Sequence, residues 1–259
     1  MHDIMSIEES IQAQLKQDTP IMDSLTIKEF YADQEIFITG GSGFLGKVLI
    51  EKLLRSCPDV KKIYFLLRPG KGKTIEDRCK EIMELPLFDL LRIMNPNFAD
   101  KIIPIEGDMI KLKLGLSDKD IERLQNVSIV FHSAASVRFD DSLKYAVLMN
   151  TRGTREVMEF ALTLQRIKVI MHVSTTYSNI FVDILEEKLY PPAADWRKTI
   201  EVCEKLDEDI LILFTQQYIN FMPNTYVFSK NLAEQVSNEY KDRLPIVLLR
   251  PSKIGRAHV

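Results

Sequence analysis

The chain has 259 residues, an apolar fraction of 46% and a formal net charge of -3. That length holds one large α/β domain or two small ones with a sizeable core, and the charge excludes a global basic field for nucleic acid or an anionic membrane. The three cysteines, Cys57, Cys79 and Cys203, share no metal-like spacing and their odd number argues against a disulfide framework, so a reduced, cytosol-facing setting is expected.

Residues 1–30 are polar and weakly helical and are expected to form an N-terminal surface arm; residues 1–16 lack the apolar core of a signal peptide. No run of about 18 apolar residues predicts a bilayer span. From residue 36 the pattern alternates. Residues 36–38, 62–67, 101–105, 127–132, 169–173 and 245–249 predict strands. Residues 44–54, 74–91, 117–124, 141–164 and 224–240 predict helices, the fourth with a nick at Gly153. Strands alternating with helices predict a Rossmann-type, doubly wound parallel sheet with helices on both faces. The ligand crevice of such a sheet lies at the carboxyl ends of its strands. This domain is expected over 31–252, with 182–223 as a substrate-covering insertion. Within it, the apolar stretch 210–214 either lines a substrate path or packs as a core helix.

Gly40, Gly43 and Gly46 follow the first strand as G-x-x-G-x-x-G and precede a helix. The first glycine permits the turn, the second lets backbone approach a pyrophosphate, and the third packs helix on strand. The helix N-terminus offers free N–H groups to the anion, so Thr39, Phe44 and Leu45 join the glycines as candidate cofactor contacts. The second strand ends in Arg68 rather than an acid. Arginine there pairs with a 2′-phosphate and predicts NADPH; the alternative is that Arg68 only closes the turn before Pro69. Asp108 can accept from an adenine amine, with Met109 beside it. Ala134 and Ala135 are small enough for a cofactor to lie against backbone.

Tyr226 and Lys230 stand four apart, which places both on one helix face. An ammonium near the phenol is expected to lower its pKa from about 10, toward general-acid work at neutral pH. Y-x-x-x-K alone is common on exposed helices. What lifts it is Ser174-Thr175 at the end of the fifth strand, with Thr175 polarising a carbonyl and Ser174 nearer the nicotinamide. Asn150 is expected to hold a water relaying protons to Lys230, or else to be an ordinary helix residue. His132 and His172 flank strand ends and are expected to be structural rather than substrate contacts. No His/Cys/Asp cluster has the spacing of a metal site.

These features resemble an extended short-chain dehydrogenase/reductase. The segment F-I-T-G-G-S-G-F-L-G-K-V-L-I-E-K-L-L-R-S-C-P-D-V-K-K-I-Y-F-L-L-R-P is similar to the amino-terminal signature of eukaryotic fatty acyl-CoA reductases. So are G-D-M, V-F-H-S-A-A-S-V-R-F-D, H-V-S-T-T-Y-S-N, Y-P-P and P-N-T-Y-V-F-S-K-N-L-A-E. The resemblance implies NADPH-dependent reduction of a long-chain acyl-CoA, through an aldehyde, to a primary alcohol. It implies that Thr175 and Tyr226 act on the carbonyl and that Lys230 tunes Tyr226 and holds the nicotinamide ribose. Pro251 and Ser252 join the cofactor contacts on the same ground. The family carries a further carboxyl-terminal domain, often membrane-associating, so a cytosol-facing location on the endoplasmic reticulum or peroxisome is implied. Competing readings are a sugar-nucleotide epimerase/dehydratase, a hydroxysteroid dehydrogenase, a non-enzymatic NADPH sensor and an inactive fragment.

Residues 254–259 read Ile-Gly-Arg-Ala-His-Val, the in-frame translation of a common sequencing adapter. Residues 253–259 are therefore expected to be a non-native tail, with the native chain continuing past Ser252.

Overall fold

The computed structural model describes residues 25–252, so the expected non-native tail and most of the expected N-terminal arm lie outside the described residues. Helix α1 (Ile27–Tyr31) opens on a capping box in which Thr26 and Glu29 satisfy each other's backbone N–H groups. Phe30 and Tyr31 pack against the core, so this last stretch of the expected arm is docked.

Then come β1 (Glu35–Thr39), α2 (Phe44–Ser56), β2 (Lys62–Leu67), α3 (Ile75–Met83), α4 (Asp89–Met94) and β3 (Ile102–Glu106). They are followed by α5 (Asp118–Arg123), β4 (Val127–His132), α6 (Leu143–Ala146), a π-helical turn (Val147–Arg152), α7 (Gly153–Leu162) and β5 (Val169–Val173). Helices α8 (Trp196–Lys205), α9 (Glu208–Tyr218) and α10 (Thr225–Tyr240) precede β6 (Ile246–Leu249). The six strands form one parallel sheet in the order β3-β2-β1-β4-β5-β6. The order reverses beside β1, which opens the crevice between the carboxyl ends of β1 and β4.

Side-chain alternation assigns each strand residue to one of two cores. Ile36, Ile38, Ile63, Phe65, Ile129 and Phe131 face one layer. Phe37, Tyr64, Leu66 and Val130 face the other, with Val157, Phe228 and Leu232 from α7 and α10. Each fully buried aliphatic or aromatic side chain contributes roughly 1.5–3 kcal/mol. Burial on both faces explains why these strands read as unbroken apolar runs.

Two expected helices are corrected. Residues 74–91 do not form one helix, because Pro86 has no N–H to continue the ladder of α3. The chain passes through a short 3-10 turn before α4. Of residues 141–164, Leu143–Leu162 are helical throughout, and the interruption is the π-helical turn rather than a nick at Gly153. There the Thr154 hydroxyl donates to the Asn150 carbonyl at 2.6 Å, engaging an acceptor of the helical ladder.

Candidate active site

The first wall is the glycine turn between β1 and α2. Gly40 holds φ +77°, and a Cβ there would sit 2.6 Å from the Ala134 nitrogen. A Cβ on Gly46 would come within 2.2 Å of the Gly40 carbonyl oxygen. Only glycine at both positions lets the turn, β4 and α2 approach this closely. Gly43 caps α2 without a side-chain hydrogen bond, leaving the first-turn N–H groups to an external acceptor.

The adjoining cleft is lined by Gly40, Ser42, Gly43, Arg68, Arg78, Asp108, Met109, Ala134 and Ala135. Of the expected cofactor contacts, Gly40, Gly43, Arg68, Asp108, Met109, Ala134 and Ala135 converge on it. Arg68 is more than half exposed, with its guanidinium 4.0 Å from the Asp108 carboxylate. Arg78 was not expected. It comes from α3 and donates to the Arg68 carbonyl, and nothing in local sequence marks it. Thr39 lies behind the cleft, where its hydroxyl pairs with His132 Nδ1 at 2.8 Å. Phe44 and Leu45 point to solvent and line none of it. Pro251 is half-buried and Ser252 exposed at the end of the described residues.

The second wall is α10 against the end of β5. Asn224 caps α10 by accepting from the Val227 N–H at 2.9 Å, which fixes where Tyr226 enters the helix. Tyr226 and Thr175 are both buried, and the Phe139 ring lies 5.6 Å from that of Tyr226. Burial raises the Tyr226 pKa, the Thr175 hydroxyl pulls it down by hydrogen bonding, and nearby Tyr177 adds to the rise. The expectation that Lys230 lowers it is corrected here: the net shift is upward. Desolvation outweighs every favourable neighbour, and Lys230 points elsewhere. Its Nζ donates to the Val173 carbonyl at 2.8 Å and lies 3.2 Å from His172 Nε2. Burial, partly offset by Glu234, lowers the Lys230 pKa to about 8.

Asn150 joins the two walls. Its Oδ1 accepts from the Ser136 N–H at 2.8 Å, and its Nδ2 donates to the Ser136 carbonyl and to Ser229 Oγ, each at 3.0 Å. The water-relay role expected of its side chain is corrected: both amide protons are engaged, and the side chain clamps the β4 loop to α10.

His132 and His172 are buried and structural, as expected. His132 bridges Thr39 and Thr154, while His172 Nδ1 meets Ser237 Oγ at 2.6 Å. Burial, and then the Lys230 charge, hold His132 down to about 3. Ser174 donates to Glu234 rather than facing the cleft. Leu211 is a core residue and Phe214 packs against that core, which decides their part of the 210–214 stretch as packing. An apolar rim is offered instead by Phe181 and Phe221, whose half-exposed rings meet at 5.6 Å.

Thr175 at a strand end and Tyr226 on α10, a helix that Asn150 ties to the loop after β4, have with the glycine turn the parts for hydride transfer with proton donation to a carbonyl oxygen. Comparison with known proteins agrees with those parts. A family model described as male sterility protein, NAD_binding_4, matches residues 38–258. Fatty acyl-CoA reductase 1 of Homo sapiens is 40% identical over 232 residues, covering 89% of this chain and 45% of the relative. The Xenopus laevis protein of that name is 41% identical over the same length. The chain thus spans about half the length of these relatives. Among solved structures, the terminal R domain of the myxalamid PKS-NRPS pathway superposes with TM-score 0.61 and 27% identity, covering 86% of this chain and 49% of that one.

Proposed function

The chain belongs to the male sterility protein family of NAD-binding domains, and from that premise we propose that it reduces long-chain fatty acyl-CoA to a primary alcohol with NADPH. The observation that carries the reading is Thr175 at the end of β5 acting on the buried Tyr226 of α10, a helix that Asn150 ties to the loop after β4, whose first residues line the glycine cleft. NADPH supplies the hydride for each of two reductions.

The cradle fits a dinucleotide, because glycine at Gly40 and Gly46 lets the turn pack against β4 and α2 while Gly43 leaves the first-turn N–H groups of α2 without a side-chain cap. Gly40, Gly43 and the first turn of α2 hold the pyrophosphate by backbone N–H groups. Arg68 and Arg78, at the far end of the cleft, supply two guanidinium groups for a 2′-phosphate, which favours NADPH over NADH. Asp108 accepts from the adenine amine. Ala134 and Ala135 let the cofactor lie against the end of β4.

Thr175 and Tyr226 donate hydrogen bonds to the thioester carbonyl oxygen, and Tyr226 gives up its proton as charge develops there. The hemithioacetal then expels CoA as thiol and leaves an aldehyde. The same pair serves the aldehyde, whose oxygen takes a proton to become the alcohol. Tyr226, buried and with a raised pKa, stays protonated until needed. Lys230, one turn further on, supplies a positive charge on the same helix face, and the Tyr226 phenolate takes its proton back from solvent before the second reduction. Phe139, Phe181 and Phe221 give the acyl chain an apolar approach to this point.

Relatives twice as long carry more than this domain, and we assign membrane association on the endoplasmic reticulum or peroxisome to that remainder. The test is product analysis. Purified protein given palmitoyl-CoA and NADPH should yield hexadecanol; NADPH left unoxidised with every acyl-CoA would reject the reading.

A further inference from the structure

Glu234 follows Lys230 by four residues, so Tyr226, Lys230 and Glu234 form one file along α10. Glu234 is fully buried. Its Oε1 accepts from Ser174 Oγ and Ser178 Oγ at 2.6 Å and from Arg250 Nε at 2.9 Å. Its Oε2 accepts from Asn179 Nδ2 at 3.2 Å and Arg250 Nη2 at 2.8 Å. Arg250 reaches on to the Lys188 carbonyl at 3.0 Å and the Glu186 carbonyl at 3.4 Å. One carboxylate thus joins α10, the loop after β5, the end of β6 and the strap 186–188. That strap, with Thr176 and Leu249, lines a cleft at the carboxyl ends of β5 and β6.

A buried ion pair is a poor source of stability, since packed apolar side chains serve as well. A two-pronged arginine–carboxylate pair does fix orientation. The orientation fixed here belongs to reacting groups: Ser174 directly precedes Thr175, and Lys230 is one turn from Glu234. Lys230 is faced by His172 of β5 and, at longer range, His132 of β4, both held neutral by burial and the lysine charge. Glu234 is the anionic neighbour that favours its ammonium form.

Resting on the reductase reading above, we propose that Glu234 and Arg250 are positioning residues that set Thr175 and the Lys230 ammonium relative to Tyr226 and hold the 186–188 strap along the cleft at the carboxyl ends of β5 and β6. Glu234→Gln keeps shape and loses charge. It should lower kcat by about 10- to 100-fold with NADPH affinity little changed, the scale expected for a small misplacement of reacting groups. It should also move the alkaline limb of the pH profile to lower pH by about one unit, since Lys230 loses its anionic neighbour. Glu234→Asp, which keeps the charge, should leave that limb in place. Arg250→Lys keeps charge without the fork and should raise hydrogen exchange at residues 184–190 and 174–179. Exchange needs no substrate, so it reports on the clamp even if acyl-CoA proves to be the wrong substrate. A folded Glu234→Gln protein with wild-type kcat and an unmoved limb overturns the proposal. Should that variant fail to fold, unchanged exchange in Arg250→Lys overturns it equally.

Discussion

Lys230 Nζ donates to the carbonyl oxygen of Val173, the last residue of β5, at 2.8 Å. The bond ties α10 to the strand that leads into Thr175, with the lysine shut away from water. The ammonium form therefore depends on few neighbours, and its pKa falls to about 8. If the ammonium assists Tyr226, kcat/KM should fall as pH rises through about 8. Lys230→Met should remove that limb together with most of the activity. A flat profile up to pH 10 in the wild type would show that the charge is not used.

Tyr226→Phe keeps ring packing against Phe139 and deletes the hydroxyl proposed as proton donor. We expect kcat to fall by about 10²- to 10⁴-fold, the usual worth of a positioned general acid. NADPH affinity, followed by fluorescence, should stay within a few-fold. A variant with near-normal turnover would remove Tyr226 from the chemistry.

Gly46→Ala places a methyl group 2.2 Å from the Gly40 oxygen, a backbone atom that cannot step aside alone. Overpacking of this kind costs typically about 1–3 kcal/mol, and it reshapes the turn proposed to meet the pyrophosphate. Thermal shift should show a less stable protein that NADPH no longer stabilises. Wild-type stabilisation by NADPH in this variant would contradict the cradle.

Arg68→Ala and Arg78→Ala should each lower affinity for NADPH by about 10-fold or more, the worth of a charge-assisted hydrogen bond, and leave NADH affinity nearly unchanged. The double variant should lose most of its preference between the two. Equal losses for both cofactors would mean that the arginines shape the turn and do not read the 2′-phosphate.

His132 stays neutral in the fold down to about pH 3, whereas an unfolded histidine takes up a proton near 6.5. Between those values the unfolded state binds more protons, so stability falls as pH drops. By pH 5 this amounts to about 2 kcal/mol from His132 alone. His172, also held well below its usual range, acts in the same direction. Urea unfolding at pH 7 and pH 5 checks it, and His132→Gln should reduce the difference.

The strands were legible because burial on both faces leaves unbroken apolar runs, and β2 was found to the residue. Helix α10 was equally legible, since Asn224 announces it. The π-helical turn was not, because side-chain bonds such as that from Thr154 to the Asn150 carbonyl leave no periodic trace. Tyr226, Lys230 and Thr175 were readable as a pattern at strand and helix ends. Their protonation behaviour was not, since desolvation depends on what the fold packs around them. Arg78, Glu234 and Arg250 reach the site through tertiary contacts between distant segments, which no local spacing encodes.

The most direct test is NADPH oxidation by the purified protein with palmitoyl-CoA, set beside a UDP-sugar and a hydroxysteroid. Two NADPH consumed per hexadecanol formed, abolished in Tyr226→Phe and absent with the other substrates, is the predicted result. Turnover of the sugar nucleotide or steroid with none of the acyl-CoA would contradict it.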